Sequence, residues 1–476
     1  MRHVAVAEAA EGMRWRTELE NQRLRCEQRA AVGASAEYAL EDENVRLTLP
    51  DVQASASWVA RQIWKDGSAA AQESAGFQGS GTVAVFVEKT ALSVLAAYGA
   101  LLAGKRFADL PSTSRDAEVV RILRVVHPSI ILTTNALRAR LPTELVAETT
   151  IIEIDAMPIG VAYATEPPLA FLPKPGEEGA AECAASRDNG AFCVLTSGTT
   201  SVSKIVVCPH EALTCATSYM ADDLRPGVGD RVGLFWVYYY MVSSMGLGAS
   251  VFMIPDAQLF NPPALAKTVR DQRLTGLYVT PSILSSCLGA LPESQLMEDF
   301  AVLKVIWLTG EYVTSKMRSH MARIMPWVRL RNIYSTNESG DNAITDGDDQ
   351  FEALDGVSFE VLDPKTLEPL PVGEVGALHV RAPWTFKGYW TAEGVGHEPS
   401  PNASFRTGDL VKWMGGKKLQ FVSREAASHI KVRGFKIFPE LLEAELMKHP
   451  DVEVAWCTAV GDGSGDDTKS RLEAAV

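Results

Sequence analysis

VLTSGTTSVSKIVV, residues 194–207, is the stretch on which the reading of this chain turns. Thr196, Ser197, Gly198, Thr199, Thr200 and Ser201 form a run of small hydroxyl residues with one glycine, and Lys204 closes it. Small residues let backbone N–H groups approach an anion, hydroxyls add donors, and a lysine adds a point charge. The G-x-x-x-x-G-K spacing of a Walker loop is absent. The flanking pattern predicts a strand, AFCVLT, before the stretch and a helix around HEALTCATSYMADDL after it. The competing reading is an ordinary polar surface turn, because Ser/Thr/Gly clusters are common in loops.

Composition narrows the setting. The chain has 476 residues, 46% of them hydrophobic and 22% charged. That is the profile of a soluble globular protein, with length for roughly three domains of ~150 residues. A net charge of −14 argues against a nucleic-acid binder, which needs a basic footprint. A nucleotide ligand stays open, because amides and one lysine can cradle a phosphate. Seven cysteines at irregular spacing, with no C-x-x-C pair, suggest neither a disulfide framework nor a zinc site. A reducing, cytoplasmic setting is expected. The first twenty residues hold no uninterrupted apolar run of the signal-peptide kind.

One segment, GLFWVYYYMVSSMGLGASVFMIP (233–255), is long and free of charge. Three serines and internal glycines interrupt it, and Asp230, Arg231 and Asp256 flank it. It reads as strand, helix and strand in a soluble core, so no membrane span is expected. Around it, TVAVFV, SIILTT, TTIIEI and AFCVLT read as buried strands. Helical patterns lie between several of them. LTLPDVQASASWVARQI places Val52, Ala56, Val59 and Ile63 at helical spacing, and TALSVLAAYGALLAGK predicts a helix ended by Gly104. Residues 14–30 look like a charged helix, and the proline-rich stretch 165–190 reads as a surface loop. Alternating strands and helices predict βαβ units and a parallel sheet. After about residue 345 short alternating strands with Gly and Pro turns suggest a β-rich, barrel-like subdomain.

Several motifs in order give the chain a family resemblance. TSGTT with Lys204 resembles the phosphate-loop signature of the adenylate-forming superfamily: acyl-CoA synthetases, luciferases and adenylation domains of nonribosomal peptide synthetases. YSTNE (334–338), GEVGALHVRAPWTFKGYW (373–390), RTGDL (406–410) and SREAASHIKVRGFKIFPELLE (423–443) resemble further family motifs, as does ALLAGKRFADLP (100–111). The resemblance covers about residues 45–470 and implies an α/β fold. Residues 1–422 would form a large N-terminal adenylate-forming domain of βαβ layers plus the β-barrel-like subdomain. Residues 423–476 would begin a truncated small α+β C-terminal subdomain.

The resemblance also implies the chemistry: a carboxylate and ATP give an acyl-adenylate and pyrophosphate. Thr196, Ser197, Gly198, Thr199 and Thr200 would bind phosphate. Lys204, Glu338 and Lys431 would be catalytic, and Glu338 would hold Mg²⁺, a hard cation suited to a carboxylate oxygen. Tyr334 matches a tyrosine that stacks on adenine, Asn337 a residue at the α-phosphate, and Asp409 an aspartate on both ribose hydroxyls. Gly310, Glu311, Asn332, Phe421 and Arg424 complete the implied nucleotide contacts. The implied partner is a carrier protein with phosphopantetheine.

Amino-acid-activating members keep an aspartate that pairs with the substrate ammonium. Here Phe235 or Trp236 takes its place, so an ordinary α-amino acid would lose a buried ionic partner. An aryl acid stacked on aromatics, or an acid with a quaternary ammonium such as glycine betaine, suits such a wall. His210, Phe235, Trp236, Tyr239 and Asp341 are the implied acyl-pocket residues, and an acidic Asp341 favours a cation. The chain departs from the family at Ser201, Ser203 and Ile205 in the loop, and in the EAAS hinge, which carries one extra residue. The catalytic lysine of the family's C-terminal subdomain has no match before Val476. The leading expectation is therefore an adenylation domain of a carboxylate-reductase-like synthetase. An acyl-CoA or aryl-acid synthetase and a non-catalytic nucleotide-binding homologue are the alternatives.

Overall fold

The computed structural model describes residues 38–70, 81–146, 149–157, 190–195, 204–224, 229–234, 238–311, 313–346, 349–391, 394–396, 404–425, 430–432 and 435–437, with isolated pieces between 446 and 475. The helix expected over 14–30 and all of the loop over 165–190 except Gly190 lie outside these residues. The chain groups into two compact units. The first is Met1–Tyr278 with Asp299–Leu303 and Trp384–Pro399; the second is Val279–Glu298, Lys304–Pro383 and Ser400–Val476.

The first unit holds the expected parallel sheet. Thr150–Glu153, Ile130–Thr133, Thr82–Phe86, Arg106–Asp109 and Phe192–Leu195 lie side by side in that order, every pair parallel. Their side chains are mostly buried, as near-continuous apolar runs in a covered parallel sheet should be. Helix Ala91–Leu102 forms because alanine and leucine dominate it. It ends where predicted: Gly104 takes φ 71°, and Gly104 N–H and Lys105 N–H donate to Leu101 O (3.0 Å) and Ala100 O (2.9 Å). That reversed pair of bonds satisfies the last carbonyls and turns the chain straight into strand Arg106–Asp109. Helix Leu49–Ala70 buries Val52, Ala56, Val59 and Ile63, the stripe its spacing predicts.

The aromatic stretch resolves into strand Arg231–Leu234, helix Tyr238–Gly246 and strand Ser250–Met253, the two strands parallel neighbours. Tyr240 is fully buried and stacks on Tyr278 at 3.7 Å between centroids, so this part of the run is core. Among the described residues no helix is long and apolar enough to cross a membrane.

The expected helix over HEALTCATSYMADDL is present as a helical turn, His210–Thr214, and a helix, Thr217–Leu224. Between the phosphate run and that helix Ile205–Cys208 is a strand, antiparallel to Phe192–Leu195. Four apolar residues, two of them valine and one isoleucine, favour extended chain, and the helical turn begins only beyond Pro209. One expectation is corrected: the β-rich region after residue 345 does not close into a barrel. In the second unit the sheet runs Val305–Thr309, Arg329–Thr336, Gly340–Thr345, Gln350–Ala353, Lys418–Arg424, Phe405–Gly415, Val375–Arg381, Ser358–Leu362. The Phe405–Gly415/Lys418–Arg424 hairpin adds onto Gln350–Ala353, extending the larger sheet, and Ser358–Leu362 ends as an edge. The hairpin of Ile430–Val432 with Phe435–Ile437 and the pair Trp456–Val460 with Arg471–Ala475 stand as separate two-stranded pieces.

Candidate active site

In the second unit the site is built on two hairpins. Arg329–Thr336 and Gly340–Thr345 pair antiparallel, with a register shift between Tyr334 and Ser335 that re-aims the tyrosine. The turn between them is YSTNESG. Thr336 Oγ1 accepts from Ser339 N–H at 3.0 Å, and Gly340 takes φ 63° to complete the reversal. This turn presents Asn337 to solvent and leaves Glu338 half-buried.

Tyr334 is buried, and its hydroxyl donates to Asp409 Oδ2 at 2.5 Å. Asp409 comes from RTGDL on the second hairpin. Its backbone N–H donates to Thr407 Oγ1 (3.1 Å), and that hydroxyl donates to Leu378 O (3.2 Å). The other carboxylate oxygen, Asp409 Oδ1, is buried without a hydrogen-bond donor among the described residues. Arg424 Nε lies 3.1 Å from it, an ion-pair distance without hydrogen-bond alignment. Arg424 is 70% exposed and Asp409 3%, so the guanidinium sits at the mouth over a buried anion.

Burial pushes the Asp409 carboxyl above its ordinary value, and the Glu338 carboxylate adds to the rise; Tyr334, Arg424 and Thr407 pull against it. Burial raises the Tyr334 phenol well above its usual range, with the Asp409 charge reinforcing it. The tyrosine shift keeps the phenol neutral and able to donate, while the Asp409 shift works against the charged form of the carboxyl that accepts from it. A buried carboxylate oxygen with no donor costs free energy unless something supplies one. A ligand hydroxyl is chemically suited to that position.

The remaining implied nucleotide residues of this unit have varied surroundings. Asn332 is buried in its strand, opposite Thr345, and Phe421 is half-buried opposite Val411. Gly310 turns the chain after strand Val305–Thr309 with φ 84°. Glu311 Oε2 accepts from Ser282 N–H and its Oε1 from Ser282 Oγ, both at 2.9 Å. Its carboxylate therefore sits at the N-terminus of helix Pro281–Ala290, where negative charge is favoured. Asp341 is fully buried in strand Gly340–Thr345. The Lys431 backbone lies in the hairpin strand Ile430–Val432, and its side chain is outside the described residues.

In the first unit Lys204 stands immediately before strand Ile205–Cys208 and is exposed. Its ammonium lies over the Tyr389 ring, 4.7 Å from the centroid. His210, half-buried, opens the short turn after Pro209. Asp230, the acid that starts the aromatic stretch, is buried and accepts from Thr275 Oγ1 at 2.9 Å, a role internal to the fold. Thr196, Ser197, Gly198, Thr199, Thr200, Phe235 and Trp236, and the Tyr239 side chain, lie outside the described residues.

The motifs RTGDL and KGYW contain Thr407 and Tyr389, yet the family resemblance assigns neither a role. A threonine two residues before an aspartate is a common local acceptor, which is a readable signal; the partner of Tyr389 depends on strand pairing and is not. Among the described residues no three His, Cys, Asp or Glu side chains cluster to hold a metal by protein ligands alone. Mg²⁺ on a nucleotide needs no such cluster: one or two carboxylates and the phosphates suffice, and half-buried Glu338 fits that donor set.

The open α/β fold and the tyrosine–aspartate pair joining two hairpins suit a nucleotide-using class, and the sequence comparison shows which one. The chain belongs to the AMP-binding enzyme family, whose profile matches residues 29–390. This puts it among adenylate-forming ligases. It is 26% identical over 454 residues to "Glycine betaine reductase ATRR" of Emericella nidulans, covering 90% of this chain and 33% of that protein. It is 27% identical over 419 residues to "L-proline--[L-prolyl-carrier protein] ligase" of Streptomyces coelicolor, covering 82% of this chain and 76% of the other. In fold it resembles ATP-bound MatB from Rhodopseudomonas palustris, with a TM-score of 0.72 and 20% identity over 93% of this chain and 85% of that one. The chain thus spans about a third of the length of the glycine betaine reductase it matches.

Proposed function

We propose that this chain activates a carboxylic acid with ATP and hands the acyl group to a carrier-protein phosphopantetheine thiol, glycine betaine being the acid. The observation that carries the nucleotide half is the buried Asp409 oxygen without an aligned hydrogen bond among the described residues, on a carboxylate fixed by Tyr334. A ribose offers two hydroxyls to such a carboxylate. In the reaction one oxygen of the acid attacks the α-phosphorus and the bond to the β-phosphate oxygen breaks, releasing pyrophosphate. Lys204 and the hydroxyl loop would neutralise the phosphates, and Glu338 would hold Mg²⁺. Catalysis of this kind is chiefly positioning and charge neutralisation.

The acid is read from the aromatic stretch. Phe235 or Trp236 takes the place of the amine-reading aspartate, and Asp230 accepts from Thr275. A trimethylammonium has no N–H to donate, so aromatic faces can hold it, and the family resemblance offers the buried Asp341 as counter-charge. The relative named for glycine betaine supports this choice.

ATP–pyrophosphate exchange tests the proposal. Exchange with glycine betaine, and not with proline or benzoate, is expected. Exchange with no acid would leave a nucleotide-binding homologue, and thioester formation on free coenzyme A would redirect the acceptor. Trp236→Ala should raise the betaine KM strongly; an unchanged value would remove the aromatic reading.

A further inference from the structure

We infer that Tyr389 is a positioning residue for Lys204, holding the lysine ammonium where a phosphate would meet it; this rests on the phosphate role proposed above for Lys204. Strand Gly388–Thr391 pairs antiparallel with Ile205–Cys208, setting Tyr389 opposite Val206 and Trp390 opposite Ile205. Adjacent strand residues point to opposite faces. Trp390 is buried in the core, where the Arg106 guanidinium lies 4.1 Å from its ring centroid. Arg106 is itself buried and donates through Nε and Nη2 to Thr82 Oγ1 at 3.1 and 3.0 Å.

This anchoring fixes the register of the strand. A slip by one residue would exchange the two aromatics and put a tyrosine into the Arg106 site. With Trp390 locked inward, Tyr389 must face the other way, and there it meets Lys204. Phe386 braces the ring edge-on, at 5.0 Å and 64°. Lysine is long and rotamer-rich, so an exposed Lys204 gains direction from a fixed ring face. The ring cannot donate a proton to phosphate from its face, so its contribution is to the lysine and not to the ligand.

The test is titration calorimetry with pyrophosphate and with adenosine, alongside exchange kinetics. Tyr389→Leu should weaken pyrophosphate binding and raise the ATP KM by about threefold to fivefold, the scale of an exposed cation–π contact. Adenosine binding should be unchanged, and Tyr389→Phe should behave as wild type because the ring remains. In a Lys204→Ala background Tyr389→Leu should add nothing. If Lys204→Ala leaves pyrophosphate binding intact, the phosphate role of Lys204 falls and the inference with it. If Lys204→Ala weakens binding and Tyr389→Leu does not, the inference alone is overturned. It is also overturned if the leucine effect persists without Lys204, or if Tyr389→Phe is as weak as Tyr389→Leu.

Discussion

The Tyr334 hydroxyl donates to Asp409 Oδ2 at 2.5 Å, joining two residues 75 positions apart in the chain. The bond fixes one oxygen of a buried carboxylate and leaves the other without an aligned hydrogen bond among the described residues, with Arg424 Nε 3.1 Å away. Asp409→Asn keeps one acceptor oxygen and replaces the other with an amide NH2, which donates and cannot accept. Hydrogen bonds to charged groups are worth roughly 1.5–3 kcal/mol, so adenosine and ATP affinity should fall at least about tenfold. Calorimetric titration of adenosine reads this directly, free of any phosphate contribution.

The same carboxyl makes affinity depend on pH. Its value in the fold is raised above the ordinary 3.8, burial being the main cause. Protonation removes an acceptor, so adenosine affinity should weaken as pH falls, and at higher pH than an exposed aspartate would require. Tyr334→Phe removes a hydrogen bond that lowers this pKa, so the fall should begin at higher pH. Arg424→Gln removes a favourable charge and should shift it the same way. In Asp409→Asn the dependence should vanish.

Stability should move in the opposite sense to binding. For an acid whose folded pKa is raised, the stabilising contribution is present below the unfolded value and lost as pH rises through the folded value. At neutral pH the buried Asp409 charge therefore costs the ligand-free protein stability. Asp409→Asn, whose carbonyl can still accept from Tyr334, should raise Tm at pH 7.5 relative to wild type, and the difference should shrink on acidification. A lower Tm at every pH would mean that the Arg424 ion pair outweighs the desolvation of the carboxylate.

Much of the fold is legible in the sequence because period and punctuation agree. Val52, Ala56, Val59 and Ile63 announce a helix face, and Gly104 announces the end of the next helix. The helix over HEALTCATSYMADDL is legible too, but strand Ile205–Cys208 before it is not, because four apolar residues carry almost no period. Barrel closure fails as an expectation for a different reason. Alternation shows that strands exist, but which edge Lys418–Arg424 joins is set by packing between distant segments. At the site, residue types are readable and partners are not. Nothing local to YSTNE or RTGDL says that Tyr334 and Asp409 touch.

Gly99 tests the packing of the first unit. A Cβ built there would lie 2.5 Å from Val59 Cβ and Cγ1 and 2.9 Å from Ala56 O. Helices Leu49–Ala70 and Ala91–Leu102 can cross this closely only because that hydrogen is not a methyl group. Alanine gains helix propensity of roughly 1 kcal/mol over glycine, but overpacking against backbone costs typically about 1–3 kcal/mol or more. Gly99→Ala should therefore destabilise on balance, read as a lower urea midpoint. Gly99→Ala with Val59→Ala should recover only part of the loss, because Val59 Cγ1 is removed while Val59 Cβ at 2.5 Å and Ala56 O at 2.9 Å remain.

Glu311 separates a structural role from a ligand role. Its two oxygens take the Ser282 N–H and Oγ at the start of helix Pro281–Ala290, where Thr280 Oγ1 also accepts from Ile283 N–H at 3.4 Å. The cap and the helix dipole together are worth roughly 0.5–1 kcal/mol at an exposed position. Glu311→Ala should lower the urea midpoint by that scale, and Glu311→Gln, which keeps an acceptor and loses the charge, should fall between. If the carboxylate serves only this helix, adenosine affinity will be unchanged in the glutamine variant. A loss of affinity there larger than the loss of stability would show that the side chain leaves Ser282 to meet the nucleotide.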